Sequence, residues 1–253
     1  MSLLNRDGVN IYYEVHGDSN NPTILLSHGY SATSAMWRSQ VAALQDQYQV
    51  IVWDMRGHGS SSSPEDGALY SEALTVDDMA ALLDKVSVEK AVIGGLSLGG
   101  YMTLAFHATY PKRCDALMLF DTGPGYKSDK GREAWNKTAE LRARSFERDG
   151  LEALGDGEEV RIAQHKSAAG LALSARGMLA QINDRVIQSL PNIQVSTLVL
   201  VGDQDEPFLI PTDYMSGKIP NTTKVVIEKA GHASNIDQPE AFNQALKLFL
   251  ASL

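Results

Sequence analysis

A mostly parallel β-sheet with helices on both faces is the fold class this sequence predicts, and three observations carry it. Short, continuous apolar runs recur at 23–27, 49–53, 91–94, 114–120 and 195–201, the pattern of strands buried on both faces. Helical stretches separate most of these runs, which implies βαβ units. One run ends in Gly95-Leu96-Ser97-Leu98-Gly99, directly before a helical stretch at 101–108. A strand that turns sharply into a helix needs small residues on either side of the corner. Ser97 at the apex would then sit in strained backbone with its hydroxyl exposed.

Taken in order, 3–5 and 9–16 flank Asp7-Gly8, a hairpin turn signal, and read as an antiparallel edge of the sheet. The strand at 23–27 leads into His28-Gly29-Tyr30-Ser31 and a helix over 33–44. The strand at 49–53 leads into Asp54-Met55-Arg56-Gly57-His58-Gly59-Ser60 and a polar Ser/Pro loop. Thr75 opens a helix that reaches about residue 86, with acidic residues in its first turn. The corner strand and its helix follow, ended by Pro111, and then the strand at 114–120.

From Asp121 the character changes. Residues 122–191 hold no convincing strand but helical pieces at 134–147, 160–166, 171–182 and 186–190, so they read as a helical lid inserted into a core of 1–121 and 192–253. The sheet resumes at 195–201, and a helix over 211–219, a strand at 224–228 and a closing helix from Pro239 complete eight strands.

Composition narrows the function classes. The chain has 253 residues, a net charge of −9 and 43% hydrophobic residues, which suits one large α/β domain and argues against a nucleic-acid partner. Cys114, the one cysteine, excludes an intrachain disulfide and suits a reducing compartment. The first residues lack the charged start and apolar core of a signal peptide, and no run approaches a membrane span, so a cytoplasmic protein without a membrane partner is expected. There is no HExxH and no dinucleotide fingerprint, so neither metal nor cofactor is expected.

Three chemistry-bearing residue types follow one another at the C-terminal ends of strands, where open parallel sheets place their sites. Ser97 stands at the corner. Asp203 and Asp205 share the loop after 195–201, with Asp121 a third carboxylate at the end of its own strand. His232 follows the last strand, after Gly231. A serine hydroxyl attacks a carbonyl, a histidine carries the proton, and a carboxylate orients the ring. Backbone N–H groups of Leu98, after the serine, and Tyr30, after an earlier strand, are the expected oxyanion donors. His28 and His58 lie in turns and read as loop-ordering partners, while His16, His107 and His165 have no motif around them.

Together Ser27-His28-Gly29-Tyr30, the 54–60 motif, Gly95-Leu96-Ser97-Leu98-Gly99-Gly100, Gly202-Asp203-Gln204-Asp205 and Gly231-His232 resemble the α/β-hydrolase superfamily over essentially the whole length. Within it the chain looks most like the small, short-lidded serine esterases and enol-lactonases. The resemblance implies Asp205 as the catalytic acid and a small-molecule ester or lactone as substrate. Carbon–carbon bond hydrolases and ligand receptors that keep the fold are the alternatives. Trp37, Trp135, Met178, Leu179 and Phe208 are candidate pocket residues. Arg132, Lys137, Arg142, Arg144 and Arg148 share one charged helix that reads as a solvated face; the sequence leaves the oligomeric state open.

Overall fold

The chain enters its sheet through a hairpin. Asp7 (φ 52°) and Gly8 (φ 89°) take the left-handed backbone of a type I′ turn and fold β1 (Ser2–Arg6) back on β2 (Val9–His16). The computed structural model of the protein describes residues 2–253; Met1, the first residue of the expected core, lies outside them. The other strands are β3 (Thr23–Ser27), β4 (Gln49–Trp53), β5 (Ala91–Leu96), β6 (Cys114–Phe120), β7 (Ser196–Gly202) and β8 (Thr222–Ile227). They form one eight-stranded sheet in the order β1-β2-β4-β3-β5-β6-β7-β8. β2 runs antiparallel to β1 and β4, and all other neighbours are parallel, as the sequence predicts.

The helices are α1 (Arg38–Leu44), α2 (Glu72–Lys85), α3 (Leu98–Thr109), α4 (Asp129–Asp149), α5 (Glu158–Arg161), α6 (Ala168–Ser174), α7 (Arg185–Ser189), α8 (Glu206–Lys218), α9 (Ser234–Asp237) and α10 (Pro239–Leu250). Alternation along the strands sorts the core into two layers. Leu25, Ile51, Ile93, Leu117 and Val199 face α2 and α3, packing with Met79, Leu83, Met102 and Phe106. Their neighbours Leu26, Val50, Val92, Met118 and Leu198 face α1 and α10, packing with Val41, Leu44, Phe242 and Leu246.

Several boundaries differ from the sequence expectation. α2 starts at Glu72, because Ser71 caps it by accepting from Leu74 N–H (3.1 Å), and Thr75 lies inside the helix. α8 starts at Glu206: Pro207 sits in the first turn, where its missing N–H costs nothing, and Pro211 lies within the helix. The expected helix at 33–44 is a 3₁₀ turn (Ser34–Trp37) followed by α1, and β8 begins at Thr222. α4 extends beyond 134–147 at both ends, its start capped by Ser128. The piece at 160–166 shrinks to α5, and that at 171–182 becomes α6 followed by a π turn (Ala175–Leu179).

Between β6 and β7, α4, α6 and the π turn pack on one another around Ala143, Phe146, Leu171, Ala172 and Ala175, while Val186 and Ile187 of α7 join the layer under α2 and α3. This helical stretch is tied to the loop after β3. Tyr30 Oη donates to Leu171 O (2.8 Å). His165 Nδ1 accepts from Gly59 N–H (3.2 Å), which leaves its Nε2–H to donate to Ser31 O (3.0 Å).

Candidate active site

Ser97 caps α3 where β5 ends, with φ 55° and ψ −115°, a backbone that only a tightly enforced corner holds in a non-glycine residue. The two flanking glycines explain the enforcement. A Cβ on Gly95 would stand 2.3 Å from the Gly99 carbonyl carbon, and one on Gly99 would stand 2.1 Å from Ser27 O. Only bare backbone therefore lets β3, β5 and α3 converge there. Ser97 N–H donates to Phe120 O (2.9 Å), while Ser97 Oγ makes no hydrogen bond among the described residues. The loop after β3 lies against it: a Cβ on Gly29 would be 3.4 Å from Ser97 Cβ. The N–H groups of Tyr30 and Leu98 have no acceptor among the described residues, and Leu98 opens α3, whose positive dipole end faces the corner.

Asp205 and His232 come from neighbouring strands. β7 and β8 are paired in parallel, so the loops that follow them lie side by side. His232 Nδ1 and Asp205 Oδ2 are 2.8 Å apart. Asp205 is buried and His232 partly exposed. With Nδ1–H donating to the carboxylate, Nε2 is left as the basic nitrogen. Burial works against a charged ring here, but the bond to Asp205 and its negative charge outweigh it and hold the imidazole pKa above 6.5. Phe208, one turn along α8, stacks on the ring with centroids 5.0 Å apart.

The other two carboxylates do different work. Asp203 Oδ1 accepts from Ala230 N–H (3.2 Å) and so joins the β7 and β8 loops. Asp121 is fully buried with φ 45°; its Oδ1 accepts from Gly202 N–H (2.8 Å) and its Oδ2 from Ser234 Oγ–H. That clamp fixes the end of β6 to both loops that carry the acid and the imidazole. Burial raises the Asp121 pKa to about 7, against the lowering effect of its two hydrogen bonds.

Beneath the Tyr30 loop, His28 Nε2 accepts from Met55 N–H (2.9 Å) and Nδ1–H donates to Gly29 O (2.7 Å). His58 Nε2 accepts from Ser31 N–H (3.2 Å) and Nδ1–H donates to Arg56 O (3.1 Å). Both rings are neutral by construction, since each needs one nitrogen as acceptor. They order the loop that presents Tyr30 N–H.

A cavity of about 210 Å³ opens beside Ser97. Leu98, Trp135, Leu179, Phe208 and Pro211 supply much of its wall, and none of its lining residues is charged. Of the pocket residues expected from sequence, Trp135, Leu179 and Phe208 lie on it. Trp37 does not: it is sealed in the layer under α1 and α10, against Phe120. Met178 does not either, being fully buried in the layer under α2 and α3. Both are apolar enough for a pocket or a core, and only the packing separates the two. Gln181, Tyr126 and Tyr101 line the cavity without any local sequence signal. Arg144 and Arg148 pair with Glu140 and Asp149 on the outside of α4. Among the described residues no group of three or more His, Cys, Asp or Glu could hold a metal ion. No described helix is long and apolar enough to cross a membrane.

A corner serine, a carboxylate-bound histidine and a mostly parallel eight-stranded sheet define a class, and the chain belongs to it: the family described as alpha/beta hydrolase fold matches over residues 22–165. The chain is similar to 3-oxoadipate enol-lactonase 1 of Acinetobacter baylyi, at 30% identity over 99% of this chain and 97% of that protein. A Bacillus subtilis protein provisionally named 2-succinyl-6-hydroxy-2,4-cyclohexadiene-1-carboxylate synthase is 28% identical over 98% of this chain and 97% of its own length. Among solved structures, a thermophilic esterase from Thermogutta terrifontis superposes with a TM-score of 0.85 at 29% identity, covering 99% of this chain and 96% of that one.

Proposed function

We propose that this α/β-hydrolase is a serine hydrolase of small carboxylic esters or lactones, working through an acyl-enzyme on Ser97. The observation that carries the reading is the 2.8 Å pairing of His232 Nδ1 with Asp205, which leaves Nε2 basic on a ring stacked against Phe208, a residue that lines the same cavity as Ser97. In the first half-reaction Ser97 Oγ attacks the ester carbonyl carbon while His232 Nε2 takes the hydroxyl proton. The carbonyl oxygen becomes an oxyanion that accepts from Tyr30 N–H and Leu98 N–H. Collapse breaks the bond to the alkoxy oxygen, which leaves with the proton from His232. In the second half, His232 takes a proton from water, the hydroxide attacks the acyl carbon, and Ser97 Oγ leaves reprotonated. For a lactone the same steps open the ring into one hydroxy acid. The enol-lactonase and esterase names among the relatives support ester-type substrates for this chain too.

The test is a p-nitrophenyl ester series from acetate to octanoate. The wild-type protein is expected to cleave the shorter members. Ser97→Ala should lose at least about 10⁴-fold in kcat. Wild-type turnover retained in Ser97→Ala would overturn the reading.

A further inference from the structure

We infer that Gln181 is a specificity-determining residue, and that the cavity beside Ser97 selects substrates carrying a neutral hydrogen-bond acceptor rather than a carboxylate. The inference builds on the hydrolase reading above, which makes that cavity the place where the substrate lies.

The polar groups of the wall are nearly all engaged elsewhere. Trp135 Nε1–H donates to Leu179 O (2.8 Å), Tyr101 Oη–H to Glu72 (2.8 Å), and Thr122 Oγ1–H to Ser97 O (2.6 Å). Tyr126 sits at the exposed rim. Gln181 is different. It is 8% exposed, and its backbone is held on both sides by Asn136: Gln181 N–H donates to Asn136 Oδ1 and Asn136 Nδ2–H donates to Gln181 O, each at 2.8 Å. Its side-chain Oε1 accepts from Tyr126 N–H (3.2 Å), and because an N–H must meet an acceptor, this fixes which end of the amide is oxygen. The NH₂ group has no partner among the described residues. It is not one of the fully sealed, unpartnered polar atoms, and Gln181 lines the cavity, the side from which a ligand acceptor would reach it. A buried donor in an apolar wall gains most from an acceptor brought by the ligand.

Charge sharpens the selection. No lining residue is charged. The nearby Arg132 guanidinium is held on Tyr126 O (2.8 Å), Lys127 O (2.9 Å) and Asp129, and Lys127 lies over the Tyr214 ring, 5.5 Å from its centroid. A carboxylate entering the cavity would lose its water and find no cation. A ketone, ether or second ester carbonyl loses less and finds the Gln181 amide.

Ser97→Ala protein, which holds ligand without turning it over, separates binding from chemistry. Calorimetric titration would compare methyl 4-oxopentanoate, methyl pentanoate and monomethyl succinate. The oxo ester is expected to bind about fivefold more tightly than methyl pentanoate, and monomethyl succinate about tenfold more weakly than methyl pentanoate. Adding Gln181→Glu keeps an acceptor for Tyr126 N–H but removes the NH₂ donor; Gln181→Met removes the donor without adding charge. Both should bring the oxo-to-pentanoate ratio to about one. The inference is overturned if wild-type Gln181 shows no oxo preference, if the ratio survives both substitutions, or if the succinate ester binds as well as methyl pentanoate. Turnover of the same esters by the Ser97-containing protein is read separately. The binding order without any turnover would sink the hydrolase reading and leave the cavity assignment standing.

Discussion

Asp205 and Asp203 are two residues apart on one loop, yet only one touches the imidazole. Asp205 is expected to set both the tautomer and the basicity of His232. Asp205→Asn should lower kcat by about 10³- to 10⁴-fold, through loss of orientation and of charge stabilisation. The pH profile adds a second readout. In the proposed mechanism His232 acts as base only when neutral, and its pKa is held above 6.5, so kcat/KM should fall in acid with a midpoint above pH 6.5. Removing the Asp205 charge should move that midpoint to lower pH in whatever activity remains; an unmoved limb would mean that another group titrates. At this scale the corner at Ser97 was legible, because close backbone contacts demand Gly95 and Gly99, whereas His232 was singled out by its place after the last strand. The choice of Asp205 over Asp203 rested on family resemblance, since both are acidic and only the pairing of β7 with β8 decides which carboxylate faces the ring. Gln181 was illegible: its role depends on Asn136 and Tyr126, each more than forty positions away in the chain, as the separations of 45 and 55 show.

At the scale of elements, the corner between β5 and α3 is held by the absence of side chains. Gly99→Ala would drive a Cβ against Ser27 O at 2.1 Å, and backbone cannot yield as a flexible side chain can. A loss of about 3 kcal/mol is expected, from overpacking, seen as a lower urea midpoint with an unchanged slope. A midpoint equal to wild type would show that β3 and α3 have room to part. The strands were read well because buried parallel strands need unbroken apolar runs. Helix starts were read less well. Thr75 was read as the start of α2, but Leu74 N–H donates to Ser71 and the helix opens one turn earlier. In the 122–191 stretch α5, α6 and α7 are short, at four to seven residues, so periodicity predicted helical pieces better than their ends.

For the whole molecule, the buried titratable groups oppose one another. Burial above all pushes His28 down to about 4 and lowers His58, His107 and His165. The unfolded chain protonates such groups near their ordinary 6.5, so the stability they contribute is full above that and is lost as pH falls, through about 4 for His28. Asp121, raised to about 7, has the reverse sign: the folded state keeps a proton that the unfolded chain releases near 3.8, an advantage lost as pH rises through about 7. His232, also raised, acts in the same direction as Asp121 above 6.5. Four lowered histidines outweigh one raised carboxylate below 6.5. The melting temperature should therefore peak near about pH 6.5 and drop steeply on the acid side; Asp121→Asn should flatten the decline on the alkaline side. A melting temperature flat from pH 4 to 7 would remove this account. The arrangement of the cavity has a different consequence, one for descent. Ser97, Asp205 and His232 hang from strand ends that the Asp121 clamp and the two glycines hold in place, whereas Tyr126, Trp135, Leu179 and Gln181 come from the stretch between β6 and β7. Drift in that stretch can change which molecule is admitted while the groups proposed to break the bond stay untouched. A lineage built this way can diversify its diet without reinventing its chemistry, and relatives about 30% identical that bear names as different as lactonase and synthase are what such a history leaves behind.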